Sequence, residues 1–466
     1  MLFDNQKPLE KVNFFTLKGE VKAHCNSALN TSILKEFWYT HSFNASTISF
    51  IQVDSLTFSI GTPSSANLSS NEFVLSVQKD GIFATAKDEK ALIRAYVTLL
   101  DKMKMNDEGE VVIPLGEYSE NCQISTRMAH YCVFPDTKIW EVEKFIRLCG
   151  AVKYTHIIIE FWGMLQYQSL KELSWKHAFS KEQLKPIIDM ANNLGMEVIP
   201  MFNHWGHATQ SRVMHGKHVA LDSNLALQYL FSDDGWCWDI KKQTVKNLLK
   251  KIRNELIELC GAGSYFHIGC DEAYGFEFTH QNVTAFVEFI NEISADLNKQ
   301  GRRAIMWGDM LLCNHPEVYT ENRYTVNAPN KEVEKYMLEN ISKDVIIADW
   351  QYDAKNYPIQ TSLLLSDAGF DVIVCPWDRG FMQSDACIET VKKHNLYGIM
   401  HTTWHTLSSG MLYVVRTAMC CYDSNASKLP YSKIAITSAS ALRKAYFVDG
   451  DYEKSGWAKY EIGTNT

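Results

Sequence analysis

The chain has 466 residues, 46% of them hydrophobic and 21% charged, with a formal net charge of −8. That composition supports a large globular core and argues against a nucleic-acid or anionic-membrane surface, because no basic excess exists to meet phosphate. Twelve cysteines, irregularly spaced and without a C-x-x-C pair, point to small buried thiols rather than a disulfide framework or a zinc site. The opening MLFDNQKPLEK lacks the pattern of a signal peptide and no apolar stretch reaches membrane-spanning length, so a cytoplasmic location is expected.

Residues 1–118 mix short alternating runs with one good helix and are read as a small α+β accessory domain. Phe73–Val77 and Gly81–Ala86 are expected as strands around the turn Lys79-Asp80-Gly81. Glu89–Met103 follows with a helical period of apolar residues at Leu92, Ala95, Tyr96, Leu99 and Leu100. Gly61–Ser70 is expected to be a loop, and Asp107–Glu120 a link onward.

A different rhythm occupies residues 119–434. Eight short apolar runs are expected as strands: Gln123–Met128, His156–Phe161, Glu197–Phe202, Tyr265–Gly269, Arg303–Trp307, Val345–Trp350, Asp371–Cys375 and Gly398–Thr402. Helical patterns fall at Lys138–Leu148, Lys181–Leu194, Lys242–Leu259, Gln281–Gln300, Ser362–Ala368 and Met382–His394. This alternation predicts an α/β fold, a (β/α)8 TIM barrel. An open doubly wound sheet is disfavoured because no glycine-rich phosphate loop follows a strand. A helix from Ser408 is expected to close the barrel, with residues 435–466 a helical tail packed outside.

Catalytic groups in such barrels gather where the strands end. Those ends bring together Arg127, Glu160, His204 with His207, Asp271 with Glu272, and Trp307, Trp350, Trp377 and Trp404. Asp271 alone could be a helix N-cap, which would leave Glu272 unexplained. A single tryptophan is ordinarily core, yet four consecutive strands each end in one, in a chain with only twelve. Indole faces suit the apolar face of a pyranose, while polar groups fix its hydroxyls. Arg127 would either hold two neighbouring sugar hydroxyls or make a structural salt bridge. His207 would hold and tune a catalytic carboxyl. His204-x-x-His207 lacks a third ligand at a convincing spacing, so no metal is expected.

The run His267-Ile-Gly-Cys-Asp271-Glu272 resembles the His-x-Gly-Gly-Asp-Glu signature of glycoside hydrolase family 20, the β-N-acetylhexosaminidases. Companions in the same order are similar to other family segments: Arg127 to the sugar-binding arginine, His204-Trp-Gly-His207 to a Pro-Gly-His segment, and Met306-Trp307-Gly-Asp309, Trp350 and Thr403-Trp404 to those carrying pocket tryptophans. Ile159-Glu160-Phe161, Met164, Tyr167 and Cys270 make the chain most similar to the hexosaminidase D-like branch. Pro376-Trp377-Asp378 stands where the family has Tyr-x-Asp, which leaves Asp378 as a sugar contact and makes Tyr352 the substitute for the tyrosine on the acetamido oxygen. His405 and Thr406 replace a glutamate that follows the last tryptophan. The segment from Gly206 to Ile240 is expected to form a lid or a subsite wall.

The resemblance implies an exo-acting enzyme on terminal β-linked GlcNAc or GalNAc, with no cofactor, no nucleic-acid or membrane partner, and a homodimer left open. Conventional retaining glycosidases set two carboxyls about 5 Å apart across the scissile bond, which adjacent residues cannot easily do. Adjacent acids suit attack by the substrate's own acetamido oxygen. Asp271 would then orient that group, and Glu272, starting protonated, would be the acid and later the base. The alternatives are a conventional retaining β-glycosidase and a non-catalytic carbohydrate-binding barrel.

Overall fold

The computed structural model describes residues 13–61, 72–120, 122–209, 216–404 and 407–450. Eight parallel strands close into a barrel in sequence order. They are Arg127–Cys132, His156–Glu160, Glu197–Met201, Tyr265–His267, Arg303–Trp307, Ile346–Asp349, Val372–Val374 and Gly398–His401. The first pairs with the eighth, with Arg127 opposite Ile399. Alternation along each strand turns every second side chain inward. Met128, Ile158, Ile199, Met201, Ile305, Ile346, Ile373 and Met400 thereby make an apolar plug inside the barrel. The next inward residues along three strands are polar, His130, Glu160 and His267, and all are buried.

The helices form where the sequence is amphipathic and capped. Gln243–Cys260 buries Val245, Leu249, Ile252, Leu256 and Leu259, a spacing of alternate fours and threes that lays one stripe on the barrel. Lys181–Asn193 begins with a reciprocal capping box between Ser180 and Gln183. Lys331–Asn340, unread in the sequence, is also a helix. Half of its residues are charged and it buries only Glu334, Met337 and Leu338, so its apolar period is too sparse to see.

The N-terminal unit is a six-stranded sheet and a three-stranded one, with helices Thr31–His41 and Glu89–Lys102. Strands Phe73–Val77 and Gly81–Ala86 pair antiparallel as the alternation predicts. Glu89–Lys102 is buried almost all round, from Ala91 through Asp101. It lies against this sheet on one side and reaches the barrel through Lys90, whose ammonium is 4.0 Å from Glu197. Asp107–Glu120 is no mere link, since it contains strands Val111–Pro114 and Gly116–Ser119. The expected loop Gly61–Ser70 lies, after Gly61, outside the described residues.

Helix Leu407–Tyr422 follows the eighth strand. A last helix, Tyr431–Ala445, packs against it, against the first barrel helix Ile139–Ala151 and against Thr31–His41 of the N-terminal unit. Among the described residues no helix is long and apolar enough to cross a membrane.

The first strand begins four residues later than its apolar pattern suggests, at Arg127 instead of ending near it. The polar inward residues His130 and Cys132 break the apolar run and shift the apparent strand toward the N-terminus. Arg127 therefore sits at the bottom of the barrel, away from the strand ends that carry the acids.

Candidate active site

The fourth strand stops at His267, and the chain then turns sharply. Gly269, Cys270 and Glu272 have φ of 68°, 71° and 46°, and His207 on the facing loop has 57°. Glycine is required at 269, where a Cβ would lie 1.6 Å from Asn203 Oδ1. Three non-glycine residues in the left-handed region store backbone strain of about 1–3 kcal/mol each. The turn aims the two adjacent carboxylates into different surroundings.

Asp271 is 5% exposed. Asn203 Nδ2 donates to its Oδ1 at 2.8 Å, and His207 Nε2 lies 3.4 Å from Oδ2. Burial alone would raise its pKa. The charges of His207 and Lys217, with the Asn203 bond, outweigh that and hold Asp271 well below the usual carboxylate range. Glu272 is more open, 24% exposed at the side chain, with Oε2 at 3.0 Å from His207 Nε2. The Tyr274 hydroxyl is close enough to Glu272 that burial, together with that side chain, pushes its pKa up. One imidazole thus bridges both acids. Burial disfavours its charge, but the two acids prevail and raise it to about 9.

The backbone of Glu272 is clamped from two sides. Its carbonyl accepts from Trp236 Nε1 at 2.6 Å, and its N–H donates to Asp309 Oδ2 at 2.9 Å. Asp309 also accepts from Asn327 Nδ2 at 2.8 Å and from Trp350 Nε1 at 3.1 Å. One buried carboxylate thereby joins the ends of the fourth, fifth and sixth strands. Burial and the neighbouring Asp271 raise its pKa to about 7.

Aromatic side chains build the facing wall. Tyr352 lies with ring centroids 5.1 Å from Trp350 and 5.0 Å from Trp377. Its hydroxyl accepts from Trp404 Nε1 at 2.7 Å and is 2.9 Å from Thr402 Oγ1. Trp350, Trp377 and Trp404 are partly exposed. Trp307 is wholly buried, 4.4 Å from the His267 ring and 5.8 Å from Trp404, and so lies deeper than the other three. Asp378 is half-buried beside Trp377. His405 and Thr406 lie outside the described residues, as does 210–215 of the expected lid segment.

Arg127 requires correction as a sugar ligand. Its guanidinium donates to the carbonyls of Ile124, Ser125 and Lys153 and to Glu120 Oε1, so its structural salt bridge occupies it at the barrel's lower end. Glu160 is at the strand end as expected, but with a partner the sequence did not disclose. Lys217 Nζ lies 2.5 Å from its Oε1. Trp162 Nε1 donates to Oε2 at 3.0 Å, and His130 Nε2 is 3.6 Å away. His204 turns away from His207, with Nδ1 at 2.6 Å from the Phe202 carbonyl and Nε2 at 3.1 Å from Arg253 Nη1. Lys217, Asp309, Asn203, Tyr274 and Trp236 were all missed as site residues. Only Tyr274 and Asp309 carried any signal, by standing beside recognised motifs.

Among the described residues, two side-chain groups bring three potential metal donors within 4.8 Å of one another, His130–Cys132–Glu160 and Cys313–His315–Glu334. In the first the carboxylate is already matched by Lys217; in the second it lies 2.6 Å from His315 Nε2.

A family model described as "Glycosyl hydrolase family 20, catalytic domain" matches residues 159–409. Hexosaminidase D of Bos taurus is 27% identical over 142 residues, 29% of this chain and 38% of that protein. Lacto-N-biosidase of Bifidobacterium bifidum is 20% identical over 296 residues, 57% of this chain and 25% of that protein. The chain thus spans well under half the length of either curated relative. Among solved structures, an exo-β-N-acetylglucosaminidase from Vibrio harveyi in complex with N-acetylglucosamine superposes with a TM-score of 0.65 at 14% identity, covering 93% of this chain and 75% of that one. A β-N-acetylhexosaminidase from Streptomyces coelicolor gives 0.63 at 13% identity, covering 93% of each chain. At such identities these likenesses establish the fold.

Proposed function

The chain belongs to glycosyl hydrolase family 20, and from that premise we propose that it removes terminal β-linked N-acetylhexosamine, GlcNAc or GalNAc, by a retaining, substrate-assisted reaction. The observation that carries the reading is the unequal setting of the two adjacent acids. Asp271 is buried and held anionic by His207, Lys217 and Asn203. Glu272 stands at the more open side, within 3.0 Å of the same imidazole. The first suits a fixed charge, the second a proton carrier.

In the first step the acetamido oxygen bonds to the anomeric carbon as the glycosidic C–O bond breaks. The Glu272 proton passes to the departing oxygen, and Asp271 stabilises the positive N–H of the oxazolinium ion. In the second step Glu272 takes a proton from water, whose oxygen bonds to the anomeric carbon and reopens the ring. Two displacements give retention. The Tyr352 hydroxyl, among Trp350, Trp377 and Trp404, is the donor proposed for the acetamido oxygen. A conventional nucleophile would need another uncommitted inward carboxylate. Among the described residues Glu160 is matched to Lys217, and Asp309 to Asn327 and Trp350.

The GlcNAc bound in the Vibrio harveyi structure supports that sugar as a substrate unit. Twelve free cysteines support work in a reducing compartment. Nitrophenyl GlcNAc and GalNAc are expected to be cleaved, with thiazoline inhibition and loss of activity in Glu272→Gln. Equal turnover of a plain glucoside would refute participation of the acetamido group.

A further inference from the structure

Lys217 and Glu160 form an ion pair to which the reaction just described gives no contact with the sugar, only the action of the Lys217 charge on Asp271. Their side chains are 3% and 2% exposed. Lysine is among the residues least often buried, and a buried pair of this kind adds little to stability compared with apolar side chains of the same volume. The ammonium lies 5.1 Å above the Trp404 ring and 5.8 Å above Trp162. It is close enough for its charge to act on Asp271. The loop carrying it is fixed to the catalytic one, since Lys217 N–H donates to the His207 carbonyl at 2.8 Å. Lys217 therefore lies beside an indole of the pocket wall and within electrostatic reach of the acid assigned to the acetamido group.

Hydrogen-bond capacity points the same way. An ammonium has three donors, and among the described residues one is taken, by Glu160 Oε1. Glu160 is anionic, because Lys217 and His130 together overcome the effect of burial and lower its pKa to about 2. One charged donor and one charged acceptor, side by side, match a hydroxyl group, which accepts from the first and donates to the second. On a 2-acetamido sugar the hydroxyl next to the acetamido-bearing carbon is the 3-hydroxyl.

We infer that Lys217 and Glu160 recognise the free 3-hydroxyl of the terminal N-acetylhexosamine. The enzyme's substrates are then chain ends unsubstituted at O3, and sugars bearing a 3-linked branch or substituent are rejected because the buried pair leaves no room to admit one. This rests on the hexosaminidase reading and names the specificity of that same site.

The experiment compares nitrophenyl β-GlcNAc with its 3-deoxy analogue by kcat/KM. The wild-type enzyme is expected to favour the hydroxylated substrate by about a hundredfold or more, since sites built to bond a hydroxyl discriminate strongly against its absence. Lys217→Met is expected to slow both substrates, because it also weakens the hold on Asp271, but to slow the GlcNAc substrate far more than the 3-deoxy one, so that most of the preference is lost, with partial restoration in Lys217→Arg. The double variant Lys217→Met with Glu160→Gln removes both charges together and keeps the comparison available if the single variant fails to fold. Equal rates on the two substrates in the wild-type enzyme would overturn the inference, as would a Lys217→Met variant slowed alike on both. Those results leave the hexosaminidase reading standing, whereas activity on no hexosaminide would defeat that reading itself.

Discussion

His207 is the most exacting test of the site's electrostatics, because its charge exists only through its position between two acids. Its pKa is raised to about 9 from an ordinary 6.5, and at 1.36 kcal/mol per unit that difference is worth about 3 kcal/mol. The folded value lies above the unfolded one, so the contribution is complete below pH 6.5 and disappears as pH rises through 9. His207→Gln removes it. Urea unfolding of wild type and variant at pH 6 and pH 10 measures the gap between them, which should shrink by about 3 kcal/mol at the higher pH. Activity should fall as well. A charge-assisted bond to Glu272 is worth about 1.5–3 kcal/mol, which predicts a loss in kcat of roughly 10- to 150-fold at neutral pH. Parallel pH profiles for the two proteins would show that His207 is not held charged, and the account of the paired acids would fail with it.

Asp309→Asn tests the link between acid and wall. An amide cannot accept from Glu272 N–H and Trp350 Nε1–H together, and one orphaned donor costs about 1–3 kcal/mol, so kcat should drop by about tenfold. Asp309 is raised to about 7 in the fold, so its contribution is present at low pH and lost as pH rises through 7. The variant should therefore show a flatter stability profile between pH 5 and 8, and wild-type kcat with an unchanged profile would contradict the assignment. At Cys270, with φ of 71°, relief of about 1 kcal/mol of left-handed strain should offset the usual disadvantage of glycine. Thermal melts should find Cys270→Gly no less stable than Cys270→Ala, while glycine the weaker by over 1 kcal/mol would refute strain at this turn.

What the sequence disclosed followed burial. The strands Ile346–Asp349 and Val372–Val374 are enclosed on both faces and read as plain apolar runs, and Arg303–Trp307 was bounded correctly. The first strand was misread because its upper half turns polar residues inward, and Arg127 was moved to the wrong end of the barrel as a result. Asp271, Glu272 and the aromatic wall were legible because their residue types are unusual at strand ends. Lys217 was not, since a lysine in a polar loop looks the same whether solvated or buried against Glu160. Asp309 stands in sequence only as a companion of Trp307, and its three bonds depend on Glu272, Asn327 and Trp350 meeting in space.

Closure of the barrel between Arg127 and Ile399 has a consequence for biosynthesis. At about 5–20 residues per second, a ribosome takes somewhere between a quarter of a minute and a minute to deliver the eighth strand after the first. Through that interval the first strand presents an unpaired edge of the kind that recruits other chains. Helix Tyr431–Ala445, which touches both the first barrel helix and the N-terminal unit, emerges later still. A pause in translation anywhere between the first and eighth strands lengthens that exposure by its own duration.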